Sequence, residues 1–163
     1  MQLNSAKTEF IWCAPPRRRH HVPSGDVQLG PDLVQPVQSA RDLGVFMTMR
    51  THINNVLSLC YGSLGQIRTI KRSLPVQAFN TLDTSLVHSR LDYCNVMFVG
   101  LAACDLQRLQ SILNAAVRLV TNTSRRDHIT PLLRDRHWLP IKQRIDYKLC
   151  MMVHRCLHGL APS

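Results

Sequence analysis

Apolar side chains recur with the spacing of an α-helix over most of the chain that follows His52. In the first such segment they lie three and four residues apart, at Ile53, Val56, Leu57, Cys60, Leu64 and Ile67. This spacing places them on one face of a helix. Cations crowd the predicted end of that helix, where they suit its dipole, at Arg68, Lys71 and Arg72. Pro75 then interrupts the pattern and suits the first turn of a second helix, which extends to about Asp92. Its apolar stripe is predicted at Val76, Phe79, Leu82, Leu86, Leu91 and Tyr93, with His88, Arg90 and Asp92 largely off it.

The same criterion predicts three helices downstream. The first starts near Asp105, and its apolar side consists of Leu106, Leu109, Leu113, Ala116, Val117 and Val120. A polar link at residues 122–126 separates it from a short helical segment at residues 129–135. The last helix starts after Pro140, ends by Gly159, and carries Ile141, Ile145, Leu149 and Met152 on its apolar face.

The first 49 residues have the shorter period of β-structure instead. Residues 7–13 combine aromatic and β-branched side chains, and we predict a strand there that Pro15 ends. Further short strands are predicted at residues 27–29, 34–37 and 43–47, with Gly or Pro between them. The chain is therefore predicted to be an α+β protein, mainly α. A β-rich part is expected at residues 1–49 and a helical bundle at residues 50–163.

The charge balance is strongly positive, because 20 Lys and Arg residues against 10 Asp and Glu give a formal net charge of +10. Such an excess favours polyanionic partners, since clustered cations release counterions from phosphates. The candidate phosphate contacts are Arg17, Arg18 and Arg19 in a predicted loop and Arg118, Arg125 and Arg126 near the end of the third predicted long helix. The alternative is a set of solvated surface charges without a dedicated site.

We expect an intracellular protein of the nucleus or cytoplasm that is neither secreted nor inserted in a membrane. No signal-peptide pattern is present, and no apolar run approaches the ~20 residues of a membrane helix. The six cysteines form no Cys-x-x-Cys pair, which favours free thiols in a reducing compartment. Cys150, His154 and His158 share a helix face. At a rise of ~1.5 Å per residue, however, about 12 Å separates the first from the last, too far for one zinc ion.

Several phrases follow one another in a characteristic order along the chain. They are Leu3-Asn4 with Lys7-Thr8-Glu9, then Leu43-Gly44-Val45, residues 85–95, residues 109–120, residues 127–131, and His137-Trp138-Leu139-Pro140. In order and spacing they resemble the region behind the catalytic palm in the reverse transcriptases of non-LTR (LINE-type, jockey-like) retrotransposons. The resemblance extends from Leu3 to Pro162.

The resemblance implies the end of a polymerase palm, reduced to strands and a hairpin, followed by a helical thumb and its extension. In the family the thumb holds the primer–template duplex through phosphate contacts, so the implied partner is an RNA/DNA duplex. Lys7 matches a lysine that lies near the family's active site. The implied function is that of a fragment of an RNA-directed DNA polymerase that contributes nucleic-acid binding. The missing palm and fingers of the parent polymerase are its implied protein partner.

The carboxylates that polymerase chemistry needs are not found in this sequence. The family binds two Mg²⁺ ions with a palm aspartate and a Tyr-x-Asp-Asp turn, as two-metal chemistry requires. Here there is no Asp-Asp pair, Glu9 is the only glutamate, and none of Tyr61, Tyr93 and Tyr147 begins such a turn. We therefore expect no catalytic residue, metal site or cofactor in this chain, and no polymerase activity from it alone.

Alternatives to a nucleic-acid-binding fragment stay open. The shortened sequence after the hairpin and the missing palm fit a non-functional transposon relic, and a helical interaction module adopted by a host is a third class. Trp138 is expected to pack in the core, with stacking on nucleic acid as the alternative. Arg90 and Asp92 are expected to cap or pair locally.

Overall fold

The computed structural model describes residues 4, 7–14, 17–18, 22–23 and 25–160. The chain divides into two compact units, Met1–His52 and Ile53–Ser163. Among the described residues, the first unit contains two small antiparallel hairpins and the second is helical. The chain is therefore an α+β protein, mainly α, as the pattern of apolar positions predicts.

In the first hairpin, strand β1 (Val27–Leu29) pairs with strand β2 (Asp32–Val34). The strand predicted at residues 27–29 is confirmed. The strand predicted at residues 34–37 is wrong in its bounds, since β2 ends at Val34. The reason is the tight turn after β1, where Gly30 adopts a φ angle of 65°. Glycine reaches this conformation without steric cost, so the chain reverses at once.

In the second hairpin, strand β3 (Arg41–Asp42) pairs with strand β4 (Val45–Phe46). The strand predicted at residues 43–47 is correct only for Val45 and Phe46, because the two residues before them form the turn. Its turn residues Leu43 and Gly44 both have positive φ angles, 46° and 84°. Turns of this kind match the right-handed twist of paired strands. Leu43 adopts the conformation against the preference of residues with a Cβ atom.

The strand predicted at residues 7–13 is wrong. Lys7 lies in a 3₁₀ turn, and within the described part of this segment only Phe10 forms a β-bridge, to Pro36. The backbone N–H of Val37 donates to the Phe10 carbonyl oxygen at 2.7 Å. Because Pro36 has no N–H group, it cannot donate a further ladder bond. Pro15, the predicted end of the strand, lies outside the described residues.

Helix α1 (Met49–Ile70) buries its predicted apolar face, which confirms the assignment of Ile53, Val56, Leu57, Cys60, Leu64 and Ile67. A 3₁₀ turn, Lys71–Ser73, follows it. Pro75 then caps helix α2 (Val76–Asp83), the position in which its missing N–H costs least.

The helix that starts at Val76 changes pitch in its middle. Thr84–His88 form one π-helical turn, and helix α3 (Ser89–Asp92) continues to the predicted end. A strict spacing of four relates the buried positions Phe79, Asp83, Val87 and Leu91. Because a wider turn moves side chains out of the 3.6-residue phase, the predicted stripe is only partly correct. Val76 and Tyr93 are exposed, and His88, predicted to lie off the stripe, is buried.

Helices α4 (Ala103–Thr121), α5 (Ile129–Asp135) and α6 (Ile141–Leu157) complete the helical unit. Helix α4 supplies the centre of the core, and α2, α5 and α6 all pack on it. Its fully buried side chains are Leu109, Ile112, Leu113, Ala116 and Val117. Four of these five were predicted and Ile112 was not, whereas Leu106 and Val120 at the ends of the predicted face are only half-buried.

Helix α6 is buried only in its first turns, at Ile141 and Ile145. Leu149 and Met152, predicted to share that buried face, are 36% and 50% exposed. The predicted period is correct, but every described residue from 146 to 160 is exposed, so the prediction of burial is wrong there. Periodicity shows which residues share a face and not whether a neighbour covers it.

Candidate nucleic-acid interface

A groove of about 1190 Å³ lies between the second halves of α1 and α4. One wall is formed by residues of α1 and the turn after it, including Tyr61, Gly65, Arg68 and Arg72. The spacing of four and three residues places Tyr61, Gly65 and Arg68 on one face of α1, and Arg72 lies in the 3₁₀ turn that follows. Arg118 of α4 and Arg125 of the following loop line the groove from the other side.

Five cations line this groove: Arg68, Lys71, Arg72, Arg118 and Arg125. No acidic side chain is found among the described residues that line it. The carboxyl ends of α1 and α4 lie here, and their partial negative charge offsets part of the repulsion between the cations. A bound polyanion would offset the rest, so the groove has the electrostatic character of a phosphate-binding surface.

Lys71 has a structural role within this surface. Its Nζ donates to the carbonyl oxygen of Leu119 at 2.6 Å and to Oδ1 of Asn122 at 3.2 Å. It also lies over the ring of Phe79, 5.5 Å from the centroid. The ammonium group therefore satisfies carbonyl and amide oxygens at the end of α4, as cations near a helix C-terminus do. This leaves the four arginines as the groups available to a ligand.

Backbone hydrogen bonds fix the position of Arg118 at the end of α4. Its carbonyl oxygen accepts from the N–H groups of Asn122 and Thr123, and Asn122 ends the helix in the left-handed conformation, at φ 57°. The Arg118 side chain is half-buried, and its Nε is buried without a hydrogen-bond partner among the described residues. A guanidinium group in this setting gains from an added acceptor at its outer nitrogens.

The groove brings together two of the predicted phosphate contacts, Arg118 and Arg125. Arg126 is exposed but does not line it, and its backbone N–H donates to the Ser124 hydroxyl at 3.1 Å. Sequence reasoning assigned Arg68 and Arg72 to the helix dipole alone. The spacing of Tyr61, Gly65 and Arg68 could have indicated the groove. It puts these residues on the face of α1 next to the buried face, and Arg72 follows in the next turn.

The other predicted contacts belong to the Met1–His52 unit. Lys7 is exposed, and its backbone N–H donates to the carbonyl oxygen of Asn4 at 3.0 Å. Arg17 and Arg18 are exposed in a 3₁₀ turn, and Arg19 lies outside the described residues. A phosphate contact by these residues stays a prediction.

A buried polar cluster lies elsewhere in the helical unit, where residues 85–95 meet α6. Arg144 donates from Nη1 to both carboxylate oxygens of Asp92, each at 2.8 Å. Its Nη2 lies 3.0 Å from Nδ1 of His88. Because an arginine only donates, Nδ1 accepts, and the proton of the neutral imidazole is on Nε2. The prediction that Asp92 pairs locally is correct only in part. Asn95 Nδ2 donates to its Oδ1 at 3.5 Å, but the shorter bonds come from Arg144 across the fold.

Arg90 also bonds across the fold rather than locally, contrary to the prediction. Its Nη1 donates to the carbonyl oxygen of Leu59 at 3.0 Å and to the Ser63 hydroxyl. Both acceptors belong to α1. Arg90 and Asp92 thus connect residues 85–95 to α1 and α6, respectively. We therefore assign this polar cluster a role in stabilising the fold.

Burial shifts two pKa values within this cluster in opposite directions. Burial raises the pKa of Asp83 to about 6, although Arg136 opposes the shift. Burial lowers the pKa of His88 to about 4, and the charge of Arg144 acts in the same direction while Asp92 opposes it. His88 Nε2 and Asp83 Oδ2 lie 3.5 Å apart. Both shifts favour neutral groups, so in the acidic range this contact is not an ion pair.

Trp138 is half-buried, with its ring edge-on to that of His88 at a centroid distance of 4.1 Å. This contact supports the packing role over stacking on nucleic acid. Trp138 also lines a second cavity, of about 830 Å³, between α4, α5 and the start of α6. That cavity has no cluster of like charges comparable to the groove.

No group of three or more His, Cys, Asp or Glu side chains that could hold a metal ion is found in the described part of the chain. Cys150, His154 and His158 are exposed along α6. None of the described helices combines the length and the hydropathy needed to span a lipid bilayer.

Comparison of the chain with known protein families, with curated proteins and with solved structures finds no match. The functional interpretation therefore rests on two observations. One is the order of phrases along the sequence, and the other is the basic groove between α1 and α4.

Proposed function

We propose that this chain is a fragment of the RNA-directed DNA polymerase of a non-LTR retrotransposon and binds the primer–template. In this interpretation the helical unit is thumb-like and the hairpins are the end of a palm. Catalysis belongs to the palm and fingers of the parent polymerase, which acts inside the cell. The order of the sequence phrases supports the family, and the groove supports the binding role.

The observation that carries the binding role is the convergence of arginines from separate segments. Arg68 comes from α1, Arg118 from α4 and Arg125 from the loop after α4. None of them forms an ion pair within the described part of the chain. Guanidinium groups bind phosphate oxygens well, and contacts of this kind are independent of base sequence.

The test is binding of a fluorescent RNA–DNA hybrid duplex, measured by anisotropy at a series of salt concentrations. For the wild type, log K should fall linearly with log salt, because each phosphate contact releases counterions. Replacing Arg68, Arg118 and Arg125 together with Ala should weaken binding to every duplex alike. The slope should become shallower by up to about three units, one for each lost contact.

A control with the same net charge separates this surface from general basicity. Arg126, Lys148 and Arg155 are exposed outside the groove, and their joint replacement with Ala removes the same three charges. This variant should keep most of the wild-type slope. Equal slopes for the two triple variants, or no duplex binding by the wild type at low salt, would contradict the proposal.

A second candidate function is a helical protein-interaction module. The observation in its favour is the exposed second half of α6, where Met152, Val153 and Leu157 are 50%, 49% and 78% exposed. Exposed apolar side chains that lie side by side mark interaction surfaces more often than scattered ones do. If the duplex-binding test fails while the protein remains folded, this candidate takes precedence.

A further inference from the structure

Helix α1 contains two glycines whose presence the fold does not explain. Gly62 and Gly65 both lie in the interior of the helix, where glycine is less favourable than alanine. Both are exposed, and a Cβ atom at either position would have no described atom within 4 Å outside its own stretch of helix. Neither packing nor a positive φ angle therefore requires glycine at these positions.

The two glycines differ in their position relative to the groove. Gly65 lines it, whereas Gly62 does not. Without a side chain at Gly65, the backbone of α1 is open to the groove, as at sites where a ligand approaches the main chain closely. An external ligand accounts for a glycine that the internal packing leaves unexplained.

The groove is lined by apolar as well as basic side chains. Leu64 is buried and Ala115 and Leu119 are half-buried, whereas Tyr61, one helical turn from Gly65, is 47% exposed. A paired duplex presents its phosphates outward and hides the faces of its bases. An unpaired nucleotide exposes an apolar base face and a phosphate together, which matches the mixed apolar and basic lining of this groove.

We propose that the groove holds an unpaired stretch of a nucleic-acid strand. One base stacks on Tyr61, the strand crosses the open backbone at Gly65, and the phosphates lie against Arg68, Arg118 and Arg125. This inference rests on the proposed nucleic-acid binding and narrows it to the single-stranded extension of a primer–template. The rival occupant is an acidic peptide, which would use the same cations.

The first test compares Gly65→Ala and Gly65→Leu with the matched variants Gly62→Ala and Gly62→Leu. Alanine at either position should raise the thermal midpoint slightly, by about 2 °C, because alanine favours the helix. Binding of a 12-nucleotide single strand should weaken only for the Gly65 variants, and more for Leu than for Ala. Equal binding by the Gly62 and Gly65 variants would overturn the proposal.

The second test concerns Tyr61 and the form of the nucleic acid. Tyr61→Ala should weaken single-strand binding by about tenfold, whereas Tyr61→Phe should bind like the wild type, because its ring can still stack. A hybrid duplex with a single-stranded overhang should bind more tightly than the same duplex with blunt ends. An equally strong blunt duplex would overturn this inference and leave the proposed duplex binding standing.

A polyglutamate peptide serves as the probe for the rival occupant. At matched ionic strength it should displace the labelled single strand only weakly, because it has no base to stack on Tyr61. The nucleic-acid assignment would be overturned if polyglutamate displaced the labelled strand as effectively as an unlabelled strand does, and if Tyr61→Ala weakened the binding of polyglutamate and of the strand equally. Failure of the wider proposed function is distinct, since then neither duplex nor single strand binds at low salt.

Discussion

Arg144 of α6 binds both carboxylate oxygens of Asp92 through one nitrogen, Nη1, at 2.8 Å each, although 52 positions separate the two residues. The Arg144 side chain is 14% exposed and that of Asp92 is 35% exposed. The pair ties the end of the π-interrupted helix to the start of the last helix. It therefore joins the segment at residues 85–95 to the helix that follows Pro140.

Replacing Arg144 with Ala should destabilise the helical unit by about 2–4 kcal/mol, since the His88 Nδ1 atom loses its donor and the partly buried Asp92 carboxylate keeps only the long contact from Asn95. Urea unfolding followed by circular dichroism measures the change. The control is Arg108→Ala, which removes a more exposed pair with Asp105 and should cost under about 1 kcal/mol. Similar decreases in the free energy of unfolding for the two variants would show that the Arg144–Asp92 contact stabilises the fold no more than an exposed ion pair does.

The opposite pKa shifts of Asp83 and His88 should cancel in the wild type. Between about pH 4 and 6, the folded protein holds a proton on Asp83, whereas the unfolded chain holds one on His88. The pair thus binds the same number of protons in both states, so its contribution to the free energy of unfolding changes little with pH.

Single substitutions should reveal each half of this balance. In Asp83→Asn the lowered pKa of His88 remains, so stability should rise between about pH 4 and 6.5, because the unfolded chain binds the extra proton. In His88→Gln the raised pKa of Asp83 remains, so stability should fall as pH rises from about 4 to 6.

Each trend should amount to at most about 3 kcal/mol relative to the wild type, and urea midpoints across this pH range measure it. The exposed Asp146 provides a control, since Asp146→Asn should leave the wild-type pH profile unchanged. The same slope for both variants of the pair would contradict the assignment.

Helix α4 should tolerate charge only on its outer side. Leu109 and Leu113 are fully buried, and Leu109→Asp or Leu113→Asp should cost several kcal/mol, on the order of 4, because each places an unpaired carboxylate in the core. Gln107 is exposed on the same helix, and Gln107→Asp should change stability by under about 0.5 kcal/mol. A thermal midpoint that stays constant in either Leu variant would refute the helix phase.

The neighbouring residues Arg125 and Arg126 should differ in their effect on nucleic-acid binding. Both are exposed, but only Arg125 lines the groove. Arg125→Ala should flatten the salt dependence by about one unit and Arg126→Ala by less, because a charge outside the groove contributes only general attraction. Salt titrations of the two single variants decide the point, and a larger effect of Arg126 would argue against the groove.

The purified chain should show no primer extension with Mg²⁺ or Mn²⁺, since its sequence has no Asp-Asp pair and Glu9 is its only glutamate. Incorporation of labelled nucleotide on a primed RNA template is the measurement. Addition of a separately expressed palm and fingers provides the positive control. Extension by the 163-residue chain alone would be the contrary result.

Much of the fold follows from local pattern. The spacing of three and four residues in α1 and α4 predicted which side chains are buried, because an amphipathic helix can exclude water from only one face. Pro75 and Pro140 indicated where helices begin, because proline lacks a backbone donor. The pattern at residues 43–47 indicated β-structure, although it placed a strand where Leu43 and Gly44 form a turn. These features depend on residues close together in the chain.

Other features depend on contacts between distant residues, which no local pattern contains. Asp83 and His88, at the two ends of the π-helical turn, both lie in the interior, where burial changes their pKa values. Arg68 and Arg125 meet at one groove only because α1 and α4 pack with their carboxyl ends together. The second half of α6 has the period of a buried helix and is exposed. Period is a property of the backbone repeat, whereas burial requires a neighbour that only the tertiary fold supplies.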